Sequence, residues 1–131
     1  MSLLLIVSCS KAVDTQDKIL YESTGSSAIE LGTGNNYFDL SVTDAEGTVY
    51  NFHIHTDKTI VGEALENLGL LEGTEGEFGL YVNKVNGIYA EYEKTGTYWA
   101  FYVDNEYASK GIDMTEIKTG ETYTLSYSKK I

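Results

Sequence analysis

Apolar and polar residues alternate from Tyr37 to Asp44, which predicts a strand with Phe38, Leu40 and Val42 on one face and Asp39, Ser41 and Thr43 on the other. Ala45-Glu46-Gly47 reads as a turn, with glycine where a positive φ is needed. Alternation returns from Thr48 to His55, placing Tyr50, Phe52 and Ile54 on one face and Asn51, His53 and His55 on the other. The pair predicts an amphipathic hairpin. At Ile60 the period lengthens to about 3.6 residues, because Val61, Ala64, Leu65 and Leu68 fall on one helical stripe. Thr59 is the expected N-cap and Gly69 the expected stop. A helix of about three turns is too short to persist unless it packs on a sheet.

Gly73 to Glu77 reads as an acidic loop, after which Phe78, Leu80 and Val82 alternate again and Asn86-Gly87 marks a bend or bulge in a long strand region that continues through Ile88 to Tyr92. Lys94-Thr95-Gly96 is the expected hairpin turn into Tyr98 to Asp104. There Trp99, Phe101 and Val103 share one face and Tyr98, Ala100 and Tyr102 the other, and two apolar faces imply a central strand. Asp104-Asn105-Glu106 turns the chain, Tyr107 to Gly111 is a short edge or loop, and Thr122 to Ser128 is a last strand with Tyr123, Leu125 and Tyr127 facing inward. The order predicts an α+β, β-grasp-like fold: a mostly antiparallel sheet with one short helix packed on it.

Ahead of these elements, Leu3 to Val7 is an apolar run too short to cross a bilayer. Ile6-Val7-Ser8-Cys9 matches the bacterial lipoprotein signal pattern, in which the cysteine carries the lipid. Residues 1–9 are therefore expected to be the remnant of such a signal, residues 10–36 a Ser/Thr/Gly-rich tether and residues 37–131 the folded domain. The alternative, a short apolar strand with an ordinary buried cysteine, stays open. Cys9 is the only cysteine, so neither an internal disulfide nor a cysteine-based zinc site can form.

The aromatic content, 11 Tyr, 4 Phe and 1 Trp, suits half-buried pleated surfaces. Twenty acidic residues against nine basic give a formal charge of -11, which repels nucleic acid and anionic membranes. Nucleic acid is excluded as a partner on that ground, and membrane association is expected only through the N-terminal lipid.

Signatures of catalysis are missing: the chain has no nucleophile elbow, phosphate loop or dinucleotide motif. A non-enzymatic role is expected. His53 and His55 point to the same face of one strand and suit a zinc or copper ion, but two ligands are too few. A third from Asp39 or Asp44 would be needed, and the pair is read as exposed with no metal role. Glu63, Glu66, Glu72, Glu75 and Glu77 lack the spacing of a calcium loop and read as a solvated rim.

Four segments, in order, carry a resemblance: Phe78-Gly79-Leu80-Tyr81-Val82-Asn83-Lys84-Val85-Asn86-Gly87, Tyr98-Trp99-Ala100-Phe101-Tyr102, Gly111-Ile112 and Gly120-Glu121-Thr122. With the preceding Val61-Gly62-Glu63-Ala64-Leu65, this pattern over about residues 37 to 129 resembles the C-terminal domain of transcobalamin and intrinsic factor, and bacterial stand-alone domains of unknown function related to it. The resemblance implies a domain lying over one face of a corrinoid such as cobalamin, whose other face is held in that family by a helical barrel. Carried over by position, it implies Phe78, Tyr81, Trp99, Tyr107, Ala108 and Ser109 as ligand-binding residues. The flat apolar face and polar tip of Tyr and Trp suit that role.

The function expected from the sequence is thus an extracellular, cell-surface bacterial lipoprotein module that binds a small ligand of corrinoid type. The alternative is a cell-surface interaction or adhesion module whose partner is a surface protein.

Overall fold

The computed structural model describes residues 18–77 and 79–130. Alternation builds the first hairpin as the pattern requires: β2 (Asn36–Thr43) and β3 (Val49–Thr56) pair antiparallel, with Phe38 opposite Ile54 and Leu40 opposite Phe52. Their inner faces, Phe38, Leu40, Val42, Tyr50, Phe52 and Ile54, are buried. Each such side chain contributes roughly 1.5–3 kcal/mol by leaving water. Asp44 closes the turn by accepting hydrogen bonds from the backbone N–H groups of Glu46 and Thr48, at 3.0 and 2.9 Å.

The sheet extends on both sides of this hairpin. Strand β1 (Ile29–Gly32) lies parallel to β3, and β9 (Thr122–Lys129) lies parallel to β2. Strand β7 (Thr97–Val103) pairs antiparallel with β9, and the short β8 (Glu106–Tyr107) closes the row, giving the order β1-β3-β2-β9-β7-β8. A second sheet of three strands, β4 (Leu71–Gly76), β5 (Gly79–Val85) and β6 (Ile88–Tyr89), is antiparallel throughout.

Helix α1 (Val61–Asn67) buries Val61, Ala64 and Leu65 in one cluster with the hairpin residues, Tyr123, Leu125, Trp99 and Phe101. None of the helices among the described residues is long and apolar enough to cross a membrane.

Several expectations are corrected. Among the described residues the fold is mainly β, in two sheets with few helices, rather than a clear α+β β-grasp. Strand pairing is mostly antiparallel, as expected, but the larger sheet also holds two parallel pairs, β1 with β3 and β9 with β2. The helix is shorter than expected, and Thr59 does not cap it: Ile60 occupies the N-cap position with no side-chain bond, while the Thr59 carbonyl accepts the N–H of Ile117 at 2.8 Å. The acidic stretch from Gly73 to Glu77 contributes to strand β4, because β5 offers it a partner edge, with a bulge between Glu72 and Gly73. Lys94-Thr95-Gly96 belongs to a single helical turn, α2 (Tyr92–Thr95), ended by Gly96 at φ 75°.

Strand β7 is not central but next to last in its sheet. Part of the stretch read as a tether is also structured: Lys18 and Leu20 donate backbone hydrogen bonds to the carbonyls of Gly87 and Asn86, and Ile29–Gly32 is β1. Composition alone hides this, since a polar edge strand draws its order from a neighbour's backbone. Cys9 and Phe78 lie outside the described residues.

Candidate ligand-binding site

Because β8 is two residues long, β7 is paired on that side only at Tyr102 and Val103 among the described residues. Asp104 and Asn105, at φ 49° and 71°, make the tight two-residue turn between the two strands. The N–H of Ala108 then donates to the Phe101 carbonyl at 3.0 Å, after which the chain leaves the sheet edge for a 3-10 turn at Ile112–Met114. Ile112 is buried, and an Asp113 carboxylate oxygen accepts the N–H of Leu80 at 3.2 Å. That bond ties the start of β5 to the 3-10 turn that follows the 107–111 loop.

Between β5, the unpaired part of β7 and this loop lies a hollow of about 400 Å³. Pockets of roughly 300–1,000 Å³ are the usual size for small molecules. Tyr81, Trp99, Tyr107, Ala108 and Ser109 all line it, together with Leu80, Tyr98, Phe101 and Lys110. Five of the six residues singled out in the sequence are thus brought to one place.

They do not share one role. Trp99 is only 6% exposed; its indole N–H donates to the Ile88 carbonyl at 3.1 Å, and its ring meets Tyr127 edge-on at 5.4 Å. It forms the packed floor of the hollow. Tyr81 and Tyr107 are 41% and 69% exposed, and the Tyr107 ring stands edge-on to Tyr102 at 5.6 Å. These two offer accessible ring faces.

Ala108, Ser109 and Lys110 form a divider, since they also line a neighbouring cavity of about 710 Å³ whose walls carry Asp104, Glu106, Glu116 and Glu121. On the other side, Tyr81, Tyr98 and Tyr107 continue into an open aromatic strip with Tyr92, Lys129 and Lys130. The Lys130 ammonium lies 5.7 Å from the Tyr92 ring centroid, within cation–π range. Sequence reading missed Tyr98 and both lysines. For Tyr98 the signal was present, since alternation in β7 turns it away from the Trp99 face; the lysines reach the strip only through the pairing of Thr97 with Lys129 across the sheet, which no local pattern records.

His53 and His55 lie elsewhere, on the outer face of β3, with ring centroids 4.9 Å apart. Of the third ligands considered, Asp39 accepts a hydrogen bond from His53 Nδ1 at 2.7 Å, whereas Asp44 is held in its turn and by the Tyr50 hydroxyl at 3.0 Å.

The model of the family described as Domain of unknown function (DUF4430) matches residues 57–129. No curated protein matches the sequence. Among solved structures, a candidate metal-binding protein from Ruminococcus gnavus ATCC 29149 superposes with a TM-score of 0.70 at 24% identity, over 74% of this chain and 100% of that one. Haptocorrin in complex with Cbi superposes with a TM-score of 0.55 at 18% identity, over 77% of this chain. The matched region is 27% of the haptocorrin chain, so the likeness is to one part of that protein. The fold is transcobalamin-like.

Proposed function

The chain belongs to the DUF4430 family, whose description assigns no activity, and we propose that it is a non-enzymatic module that binds a small ligand of corrinoid type in the hollow between β5, β7 and the 107–111 loop. One observation carries the reading: Tyr81 and Tyr107 present exposed rings over an apolar floor containing Trp99 and Phe101. A flat macrocycle laid on such a floor buries apolar area, while the phenol tips and the Lys110 ammonium meet its polar rim. The likeness to haptocorrin in complex with Cbi supports the ligand class. A hollow of this size covers one face of a corrinoid, so binding by the chain alone is weaker than in a two-sided site. The reading includes an extracellular setting, with the module held to a bacterial surface by a lipid on Cys9.

Calorimetric titration of the full chain with cobinamide and with cobalamin tests the ligand class. Saturable binding at one site, weakened at least about tenfold (about 1.4 kcal/mol) by Tyr81→Ala and by Tyr107→Ala, is the expected result. No heat at millimolar corrinoid removes this class. Fatty-acid labelling in a bacterial host, lost in Cys9→Ser, tests the anchor.

A second reading rests on the aromatic strip of Tyr81, Tyr92, Tyr98 and Tyr107, an open surface suited to a protein partner. Retention of a cell-surface protein by the immobilised chain, lost in Tyr92→Ala, would favour it over the corrinoid.

A further inference from the structure

The parallel pairing of β1 with β3 creates a group of side chains at the far end of the six-stranded row from the hollow. Glu30 stands opposite His53 in that register, and Asp39 stands opposite His53 on the other side, in β2. Paired residues project from the same face of a sheet, so Glu30, His53 and Asp39 form one row across three strands. His55 lies two positions along the same face, and its partner in β1 is Gly32, which has no side chain. The vacant place beside His55 lets the Glu30 carboxylate reach its Nε2 at 3.0 Å.

One ligand atom from each of Glu30, His53 and His55 lies within 4.8 Å of the others. Bonds of about 2.0–2.1 Å in a tetrahedral zinc site place neighbouring ligand atoms about 3.3 Å apart. Small rotations of these partly exposed side chains, with the Glu30–His55 hydrogen bond exchanged for metal bonds, would close that gap. The Tyr37 ring walls the group, with its centroid 5.7 Å from His53 and 6.4 Å from His55.

We propose that Glu30, His53 and His55 form a surface site for a divalent transition-metal ion of the zinc or copper class, with Asp39 as a positioning residue for His53. Imidazole nitrogen is the ligand these ions favour, and the carboxylate supplies one negative charge against their two positive ones. Asp39 holds the Nδ1–H of His53, which leaves the lone pair on the other ring nitrogen, the arrangement that carboxylate partners commonly impose on metal-binding histidines. Three protein ligands leave a coordination position for water or for a group on another molecule. The excess of negative charge on the chain favours the approach of cations.

The test is titration of the untagged full chain with Zn²⁺ and with Cu²⁺ against a chromogenic chelator, with near-UV circular dichroism confirming the fold of each variant. One equivalent of either ion is expected to bind. His53→Gln, His55→Gln and Glu30→Gln should each weaken binding at least about tenfold, and Asp39→Asn by about 10–100-fold. In nitrogen-detected NMR, the ring signals of both histidines should shift on addition of Zn²⁺. A chain that takes up neither ion at millimolar excess overturns the site, as does one-equivalent binding that survives His53→Gln and His55→Gln. Binding unchanged in Glu30→Gln overturns the three-ligand assignment. The hollow shares no residue with this group, so corrinoid and metal titrations succeed or fail separately.

Discussion

The side chain of Asn86 holds the backbone of Tyr21 from both ends: Oδ1 accepts the Tyr21 N–H at 3.0 Å, and Nδ2 donates to the Tyr21 carbonyl at 3.0 Å. Asn86 is fully buried at φ 52°, in the turn between β5 and β6. This amide joins the backbone hydrogen bonds of Lys18 and Leu20 in fastening the segment from Lys18 to Tyr21 to the smaller sheet, and the Tyr21 ring reaches Phe52 edge-on at 5.8 Å.

Replacing Asn86 by Ala removes both bonds and places a side chain that disfavours positive φ there. Urea unfolding should show a loss of about 2–3 kcal/mol. Proteolytic cleavage near residues 18–22 should accelerate.

Gly87, at φ 85°, is crowded as well as left-handed, because an added Cβ would lie 1.8 Å from the Lys18 carbonyl oxygen. Gly47 has nearly the same φ, 87°, with open space around it. Gly47→Ala should therefore show backbone strain alone, about 1–2 kcal/mol. Gly87→Ala should exceed that value in the same urea assay and release the Lys18 segment; equal losses would mean that the close approach has no energetic weight.

Burial pushes the phenol of Tyr50 up to about 12, helped by its hydrogen bond to Asp44. Burial likewise pushes Tyr123 up to about 12; the Lys118 N–H opposes the rise and the hydrogen bond to Glu121 adds to it. Between the ordinary value near 10 and about 12, the unfolded chain has lost these protons while the folded chain keeps them. The associated stability is complete below pH 10 and falls as pH rises through that window. Chemical denaturation from pH 9 to 12 should show the decline, and Tyr50→Phe should make it shallower.

Floor and rim of the hollow should separate energetically. Trp99→Phe leaves the Ile88 carbonyl without its indole partner inside the core and should cost about 1–3 kcal/mol in thermal or urea unfolding. Tyr107→Ala and Tyr81→Ala, at exposed positions, should stay within about 0.5 kcal/mol of the parent. A large loss in Tyr107→Ala would mark that ring as structural rather than as a ligand contact.

The residues of the candidate hollow named in the sequence came from the resemblance, carried over by position, and not from periodicity. The stretch from Tyr98 to Ser109 supplies one wall as a strand, a tight turn and a loop, and Leu80, Tyr81 and Val82 supply the other. What the pattern hid was the division of labour within it. Trp99 and Tyr107 look alike as aromatic residues, yet one is committed to Ile88 and Tyr127 while the other stands free of the core. Accessibility depends on what packs from distant segments, which no local pattern records.

Local alternation by itself determined the inward faces of β2 and β3 and the stripe of α1, since the direction of a side chain follows from its own backbone geometry. Tertiary structure alone decided that β1 would lie parallel to β3 and β9 parallel to β2. Parallel neighbours are joined by backbone hydrogen bonds between segments far apart in the chain, and those bonds leave no periodic mark on either segment. For that reason Glu30, in a stretch composed like a tether, stands beside His55.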